Sequence, residues 1–364
     1  MKVIARVLFI IGLIAVYNMS YADEVKFTEG TYADVLQKAK QENKVVMIDF
    51  ITDWCKWCIE TDHKVYTQPE IYEFANTHQI NWKVDAEKGE GIDLAKKYNV
   101  QGYPTIIFVD GDGNEIDRIY GYIFADEFLQ KMKDYNNGVN TYSSLKSAVE
   151  ASPDSPEANW KFAEKLISYG DYDGAKPYLE KVVKLDAGNS AGYTDDAEFT
   201  IAFNPGEGVS DDQTITTIKT LMEKYPESNS LKDAYINIAG FCAEKDFKES
   251  LNCYKMAFDK FGSTDQTLGF NYGIFLYSHA YGMMKDEKAT DESRRDALAI
   301  VDDAMPYVAG SVNEASAYYV KSELYNQLGD KTKANEAIDM AIKLYDKKVY
   351  RDQKDKINGV ETKK

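Results

Sequence analysis

The fold of this sequence is decided by the stretch Asp49-Phe50-Ile51-Thr52-Asp53-Trp54-Cys55-Lys56-Trp57-Cys58. The apolar run over residues 45–48 leads into it and has the length of a buried strand, whereas the residues after Cys55 follow a helical pattern. A strand therefore gives way to a helix at the two cysteines. Because these cysteines are three residues apart, their sulfur atoms lie within bonding reach of each other, and Cys55 lies at the N-terminus of the helix.

Strands and helices alternate on both sides of this stretch. Helical patterns cover residues 32–42, a short segment opened by Pro69, residues 92–98 and a last segment carrying Phe128, Leu129, Met132 and Tyr135. Strand patterns cover residues 80–84, 105–109 and 115–122, and the last two flank a turn at residues 110–114 that predicts a hairpin. This order predicts a central mixed sheet covered by helices.

From about residue 155 onward, the strand patterns give way to helical repeats. Residues 159–182, 234–261 and 315–345 each match the spacing of a tetratricopeptide (TPR) unit, which is two antiparallel helices in about 34 residues. The stretches between them fit degenerate pairs, so we expect four or five repeats in an all-α, TPR-like helical array. Such arrays present a concave face that holds a peptide or protein partner. The alternative is that the array only supports or dimerises the first domain.

Composition excludes several classes of function. The chain has 364 residues and a net charge of −17, which argues against nucleic-acid binding. Four cysteines are too few for a disulfide-stapled scaffold, and His63, His78 and His279 lack the spacing of a zinc site. We therefore expect no bound metal and no cofactor.

The first 22 residues have the pattern of a secretory signal peptide. Lys2 and Arg6 precede an apolar run over residues 7–16, and small and polar residues follow up to Ala22. A membrane-spanning helix needs about 20 apolar residues, so the run is too short to span. We expect cleavage after Ala22, export to a compartment such as the periplasm, and no membrane insertion afterwards. An uncleaved anchor is the alternative.

These patterns divide the chain into five segments. They are a signal peptide over residues 1–22, an α/β domain over residues 23–140, a linker over residues 141–155, the helical repeats over residues 156–346, and a basic C-terminal tail over residues 347–364.

The cysteine pair is the candidate reactive site. A helix N-terminus lowers the pKa of a thiol, so Cys55 is the predicted nucleophile and Cys58 the resolving thiol, with Lys56 as an added positive charge. Zinc binding would need two further ligands, and haem attachment would need His where the chain has Ile59. A permanent structural disulfide is the alternative that stays open.

The quoted stretch, together with Gly102-Tyr103-Pro104-Thr105, resembles the thioredoxin superfamily. The residues after the cysteines, over 65–70, look most like the C-terminal periplasmic domain of the thiol:disulfide interchange protein DsbD and its relatives. The resemblance covers about residues 25–138. It implies an α/β thioredoxin fold and a thiol:disulfide oxidoreductase that acts on protein thiols and disulfides and needs a separate redox partner.

The resemblance also implies roles for individual residues. Asp49 would be the buried acid that relays a proton to or from Cys58, although its position alone also allows a solvated acid at a strand edge. Pro104 would be preceded by a cis peptide bond. The substrate-binding residues would be Tyr103 and Pro104, through their backbone, and the flanking Trp54 and Trp57.

The direction of exchange stays open. Cytosolic reducing thioredoxins carry Gly-Pro between the cysteines, whereas this chain has Lys56-Trp57. The resemblance to DsbD favours a reductase over an oxidase or isomerase. The alternative function is a TPR scaffold whose cysteine pair is structural.

Two further cysteines, Cys242 and Cys253, fall on the two helices of one repeat. Their positions predict small buried thiols in the core of that repeat. A second disulfide is the alternative.

Overall fold

The computed structural model describes residues 24–243 and 245–360. The predicted signal peptide lies outside these residues. Within them, no helix combines the length and the apolar character needed to cross a lipid bilayer.

The first domain is a four-stranded mixed sheet covered by helices, as predicted. The strand order is β2-β1-β3-β4, with β1 parallel to β2 and antiparallel to β3, and β3 and β4 form the predicted hairpin. The elements are α1 (Tyr32–Glu42), β1 (Val45–Ile51), α2 (Lys56–Lys64), α3 (Pro69–His78), β2 (Gln79–Asp85), α4 (Gly91–Lys97), β3 (Thr105–Val109), β4 (Glu115–Tyr120) and α5 (Ala125–Asn136).

The alternation of side chains along β1 builds a core on each face of the sheet. Val46, Ile48 and Phe50 pack in the cluster that includes Val35 of α1, whereas Met47 packs in the cluster that includes Phe128 of α5. Because side chains point to opposite faces with a period of two, Asp49 shares the face of Met47. The strand that leads to the cysteines is therefore apolar on both faces except at Asp49.

A close backbone approach makes α4 intolerant of a side chain at its first residue. A Cβ on Gly91 would lie 2.0 Å from the Asp85 carbonyl oxygen, whereas one on Gly282, in a helix of the array, would meet nothing within 4 Å. We expect Gly91→Ala to lower the free energy of unfolding by about 1–3 kcal/mol, as overpacking does. Gly282→Ala is the matched control and should raise it by about 0.5–1 kcal/mol. Urea unfolding of both variants checks this, and equal effects would contradict it.

The rest of the described chain is helical and confirms the predicted array. Its helices are α6 (Tyr142–Ala151), α7 (Pro156–Ser168), α8 (Tyr172–Leu185), α9 (Thr194–Phe203), α10 (Asp211–Lys224), α11 (Leu231–Cys242), α12 (Phe247–Phe261), α13 (Gln266–Lys285), α14 (Asp291–Val308), α15 (Val312–Gln327), α16 (Lys331–Leu344) and α17 (Lys348–Asn358). The three repeats found in the sequence are α7 with α8, α11 with α12, and α15 with α16. Short turns join the helices of each pair, and Gly170 and Gly329 adopt positive φ in two of these turns.

Two segments differ from the prediction. The expected linker over residues 141–155 contains α6, which Thr141 caps and whose Val149 is buried in the first core of the array. The expected tail from residue 347 contains α17, which buries Tyr350 and Ile357 against the helices before it. Each helix buries only a few side chains, so its sequence pattern alone did not place it in a core.

A buried ion pair attaches the array to the sheet. Asp117 of β4 and Lys165 of α7 are both buried, with Nζ and Oδ2 3.2 Å apart. Asp117 also accepts hydrogen bonds from the Tyr142 backbone N–H at 2.6 Å and from the Tyr169 hydroxyl at 2.8 Å. The Lys165 ammonium also donates to the Tyr135 hydroxyl at 3.1 Å. The start of the array is thus fixed on the edge strand of the sheet.

Candidate functional site

The two cysteines lie where β1 passes into α2. Cys55 is the N-cap residue of α2, and a disulfide bond joins it to Cys58 in the first turn. The Cys58 backbone N–H donates a hydrogen bond of 3.0 Å to Cys55 Sγ. The free N–H groups and partial positive charge of a helix N-terminus stabilise a negative sulfur atom. In the reduced protein this geometry favours a thiolate at Cys55.

Asp49 of β1, six residues before Cys55, is buried, with only 1% of its surface exposed. The alternative of a solvated strand-edge acid is therefore wrong, because β1 is an inner strand covered on both faces. Asp49 Oδ2 lies 3.6 Å from Lys83 Nζ on the paired strand β2, and Oδ1 forms no hydrogen bond within the described residues. Burial raises the pKa of Asp49 to about 6, although the Lys83 charge acts in the opposite direction. The carboxyl therefore changes protonation near pH 6, and the buried Tyr66 hydroxyl is a further polar group beside it.

The loop before β3 lies beside the cysteine turn. Thr105 pairs with Phe50 in the antiparallel ladder, so residues 103–104 lie next to the residues that follow β1. The Tyr103–Pro104 peptide bond is cis, and the Tyr103 ring meets the Trp54 ring edge to face with centroids 5.7 Å apart. The structure thus brings Trp54, Tyr103 and Pro104 together around Cys55.

The end of the array packs against the two residues between the cysteines. Lys56 Nζ donates hydrogen bonds to Asn313 Oδ1 at 2.5 Å and to the Tyr277 hydroxyl at 3.2 Å. The Tyr277 hydroxyl in turn donates to Asn313 Oδ1 at 3.0 Å. Burial, and then the like charge of Lys347, lower the pKa of Lys56 to about 8. Lys56 is therefore held by neutral oxygens of α13 and α15.

Trp57 and Glu60 extend this interface along α2. The Trp57 ring stacks on Tyr122 at 5.7 Å and lies 6.0 Å from the Phe270 ring of α13. The buried Glu60 carboxylate accepts a 2.7 Å hydrogen bond from the Val312 backbone N–H at the N-terminus of α15. A carboxylate is favoured at a helix N-terminus by the helix dipole. We call Phe270, Tyr277, Val312 and Asn313 the array wall.

The array wall is the part of the site that the sequence did not predict. Tyr277 and Asn313 contact Lys56 from 221 and 257 residues away in the chain. No local sequence pattern distinguishes these residues, because a tyrosine and an asparagine are common on the helices of such repeats. The one hint in the sequence was the Lys56-Trp57 pair between the cysteines. A lysine and a tryptophan that become partly buried need hydrogen-bonding and packing partners, but the sequence does not say which residues supply them.

Cys242 and Cys253 are free thiols buried in one repeat, as the sequence favoured. Burial raises the pKa of Cys253 to about 11 and also raises that of Cys242. Neither forms a thiolate readily near neutral pH, so the cysteine chemistry of the described residues centres on Cys55 and Cys58.

Comparison with known proteins agrees with this geometry. Residues 32–136 match the family model described as a thioredoxin-like domain. The thiol:disulfide interchange protein DsbD of Tatumella citrea is 34% identical over 108 residues, which are 29% of this chain and 19% of that protein. The disulfide bond reductase DsbH of Chlamydia pneumoniae is 28% identical over 99 residues, which are 24% of this chain and 60% of that protein. This chain thus spans about a fifth of DsbD.

A solved structure also covers the array. YrrB, described as a TPR protein with an unusual peptide-binding site, covers 59% of this chain and is itself covered to 99%, with 16% identity and a TM-score of 0.37. The family match, the curated relatives and the disulfide in the first turn of α2 identify the first domain: residues 32–136 form a thioredoxin-like domain homologous to the DsbD and DsbH disulfide oxidoreductases, and an array of paired helices follows it.

Proposed function

We propose that this chain is an exported thiol:disulfide oxidoreductase, working in the reducing direction on protein disulfides in a compartment such as the periplasm. The observation that carries the proposal is Cys55 at the N-terminus of α2, with Sγ accepting the Cys58 N–H, and the buried carboxylate of Asp49 on the preceding strand β1 supports it. The signal-peptide pattern of residues 1–22 supports export, and the resemblance to DsbD supports the direction.

The reaction proceeds in two exchanges. The Cys55 thiolate attacks one sulfur of the client disulfide, forming a mixed disulfide and releasing the other client sulfur as a thiolate. Cys58 then gives its proton to Asp49 and attacks Cys55, which forms the Cys55–Cys58 disulfide and releases the second client thiolate. The client gains two electrons and, from solvent and Asp49, two protons. A separate donor protein must then reduce the Cys55–Cys58 disulfide.

Surrounding residues assist these steps in the proposal. Tyr103 and Pro104 offer backbone groups to the client segment beside Cys55, and the exposed Trp54 offers an apolar surface. Trp57, also predicted as a substrate contact, packs on Tyr122 and Phe270 and stays partly exposed, so in this proposal it joins the two domains and offers its remaining surface to the client.

The array supplies a second surface for partners in this proposal. A groove of about 680 Å³ lies between α8, α9, α10 and α11, and its lining includes Leu179, Phe203 and Phe241. Apolar side chains with a few charged neighbours suit an extended peptide. The array thereby recruits or positions a client or a redox partner.

Trapping tests the proposed chemistry. In Cys58→Ser the second exchange cannot occur, so the reduced full-length variant should accumulate a mixed disulfide with insulin that non-reducing electrophoresis and mass spectrometry assign to Cys55. Cys55→Ser is the matched control: it keeps Cys58, Cys242 and Cys253 but should form no adduct. The rival function, a TPR scaffold with a structural cysteine pair, predicts no adduct in either variant and unchanged partner binding.

A further inference from the structure

We propose that the array wall determines which disulfides reach Cys55: it admits those in extended, protruding segments and excludes those set in the flat surface of a folded protein. This inference rests on the proposed exchange function. It makes Phe270, Tyr277 and Asn313 specificity-determining residues, although they lie outside the thioredoxin-like domain.

One side of the reactive pair is partly covered by contacts within the chain. Both residues between the cysteines are engaged, Lys56 by Asn313 and Tyr277 and Trp57 by Phe270. Hydrogen bonds to charged groups are stronger than neutral ones, so the contacts of Lys56 hold the array in place. The Glu60 contact to the start of α15 adds a second charged hydrogen bond. Lys56 and Trp57 keep only part of their surface exposed, so a broad client surface would meet α13 and α15 on this side.

On the opposite side an exposed ring stands next to the buried sulfur atom. Trp54 is 64% exposed, whereas Cys55 is only 3% exposed. The Trp54 indole N–H donates a 3.1 Å hydrogen bond to the Glu87 carboxylate, and the ring contacts Tyr103. These two contacts fix the orientation of the indole beside the cysteine turn. Cys55 is therefore a buried sulfur atom that has the exposed Trp54 as its chain neighbour on one side and, on the other, Lys56, which the array wall contacts.

In this proposal the array wall and the Trp54 ring select the client by its shape. An extended strand needs only about 5 Å beside its neighbour in a sheet, so it can enter along the cis-proline loop. A broad folded surface meets the array wall and the Trp54 ring before its sulfur reaches Cys55. The selected clients are thus unfolded or loop-borne disulfides.

Three probes with the same reactive bond separate these cases. They are 2-hydroxyethyl disulfide, a short linear peptide whose single cysteine is joined to 2-mercaptoethanol, and a folded helical protein carrying that same mixed disulfide on a surface helix. Wild-type reduced protein should reduce the first two readily and the third slowly. Failure to reduce the first would contradict the proposed function itself, independently of the array.

Variants of the array wall then test the selection. The double variant Phe270→Ala with Asn313→Ala should speed reduction of the folded probe by about tenfold relative to 2-hydroxyethyl disulfide, because an aromatic contact and a charged hydrogen bond together are worth at least that factor. The milder Tyr277→Phe should give a smaller gain in the same direction. Phe275→Ala is the control, since it removes a ring from α13 that stacks on Phe247 inside the array.

Comparing the three probes separates a change in client selection from a general loss of structure. A variant that merely unfolds would speed reduction of all three probes alike, and circular dichroism during heating would show it. An unchanged rate for the folded probe in correctly folded wall variants, or an equal gain for every probe, would overturn the inference.

Discussion

Replacing Asp49 with Asn is expected to slow disulfide exchange by about 100-fold at neutral pH, the lower end of the range for losing a general acid or base. In the proposed reaction Cys58 must lose its proton before it attacks Cys55, and the unpaired Oδ1 of Asp49 is the buried oxygen available to accept it. The first exchange at Cys55 does not need this group. Stopped-flow and quenched-reaction measurements should therefore show the mixed disulfide forming at nearly the wild-type rate but persisting.

The pH dependence identifies the group responsible. Burial raises the pKa of Asp49 to about 6, so the carboxylate form that accepts a proton becomes available as pH rises through that value. The wild-type rate of resolution should rise across this range, and Asp49→Asn should lose that inflection. Asp62→Asn is the matched control, because Asp62 also pairs with Lys83 but is partly exposed at the surface. A loss as large in the control would assign the effect to Lys83 instead.

Asp49→Asn should slow exchange but increase the free energy of unfolding. The pKa of Asp49 is higher in the folded state than the ordinary value of 3.8, so between pH 3.8 and about 6 the folded state holds more protons than the unfolded state. The stability that Asp49 contributes therefore falls as pH rises through this window. Asp49→Asn has no such titration and should be more stable than wild type at pH 7, with the difference fading below about pH 4. Urea unfolding at several pH values checks this sign, and a less stable variant at pH 7 would contradict it.

Breaking the buried pair between Asp117 and Lys165 should produce the largest loss of stability. Asp117→Asn removes the negative charge and leaves the Lys165 ammonium buried with no countercharge at that contact. Removing one partner of a buried ion pair costs about 3–5 kcal/mol. We expect a loss of that size in urea unfolding, together with loosening of α7 from β4 in hydrogen exchange.

A double-mutant cycle separates the ion pair from other effects at this contact. Lys165→Met alone leaves Asp117 with hydrogen bonds from Tyr142 and Tyr169 and should cost less than Asp117→Asn. The double variant should be more stable than Asp117→Asn alone, because the unpaired charge is gone. Additive losses would show that the two residues act independently. The surface pair Lys161 and Glu157 is the control, and Glu157→Gln should change stability by less than about 1 kcal/mol.

Most of the local architecture was predictable because it follows from short-range patterns. Periodicity and turn residues predicted the buried strand before Cys55 and the hairpin over residues 105–120. They also predicted three helix pairs of the array, which are α7 with α8, α11 with α12, and α15 with α16. The helices α6 and α17 were missed for a related reason. Each buries only a narrow apolar face, so its stability comes from packing against neighbours rather than from its own pattern.

By itself, the sequence determined the element order of the first domain, the helical nature of the second, and the placement of two cysteines at a helix N-terminus. These properties depend on residues within a few positions of one another, where spacing dictates geometry. Only the tertiary structure decided that Asp49 is buried with an unpaired oxygen and that α13 and α15 close one side of the cysteine pair. Those contacts join residues up to 257 positions apart, and their position depends on how every intervening helix pair packs on the next.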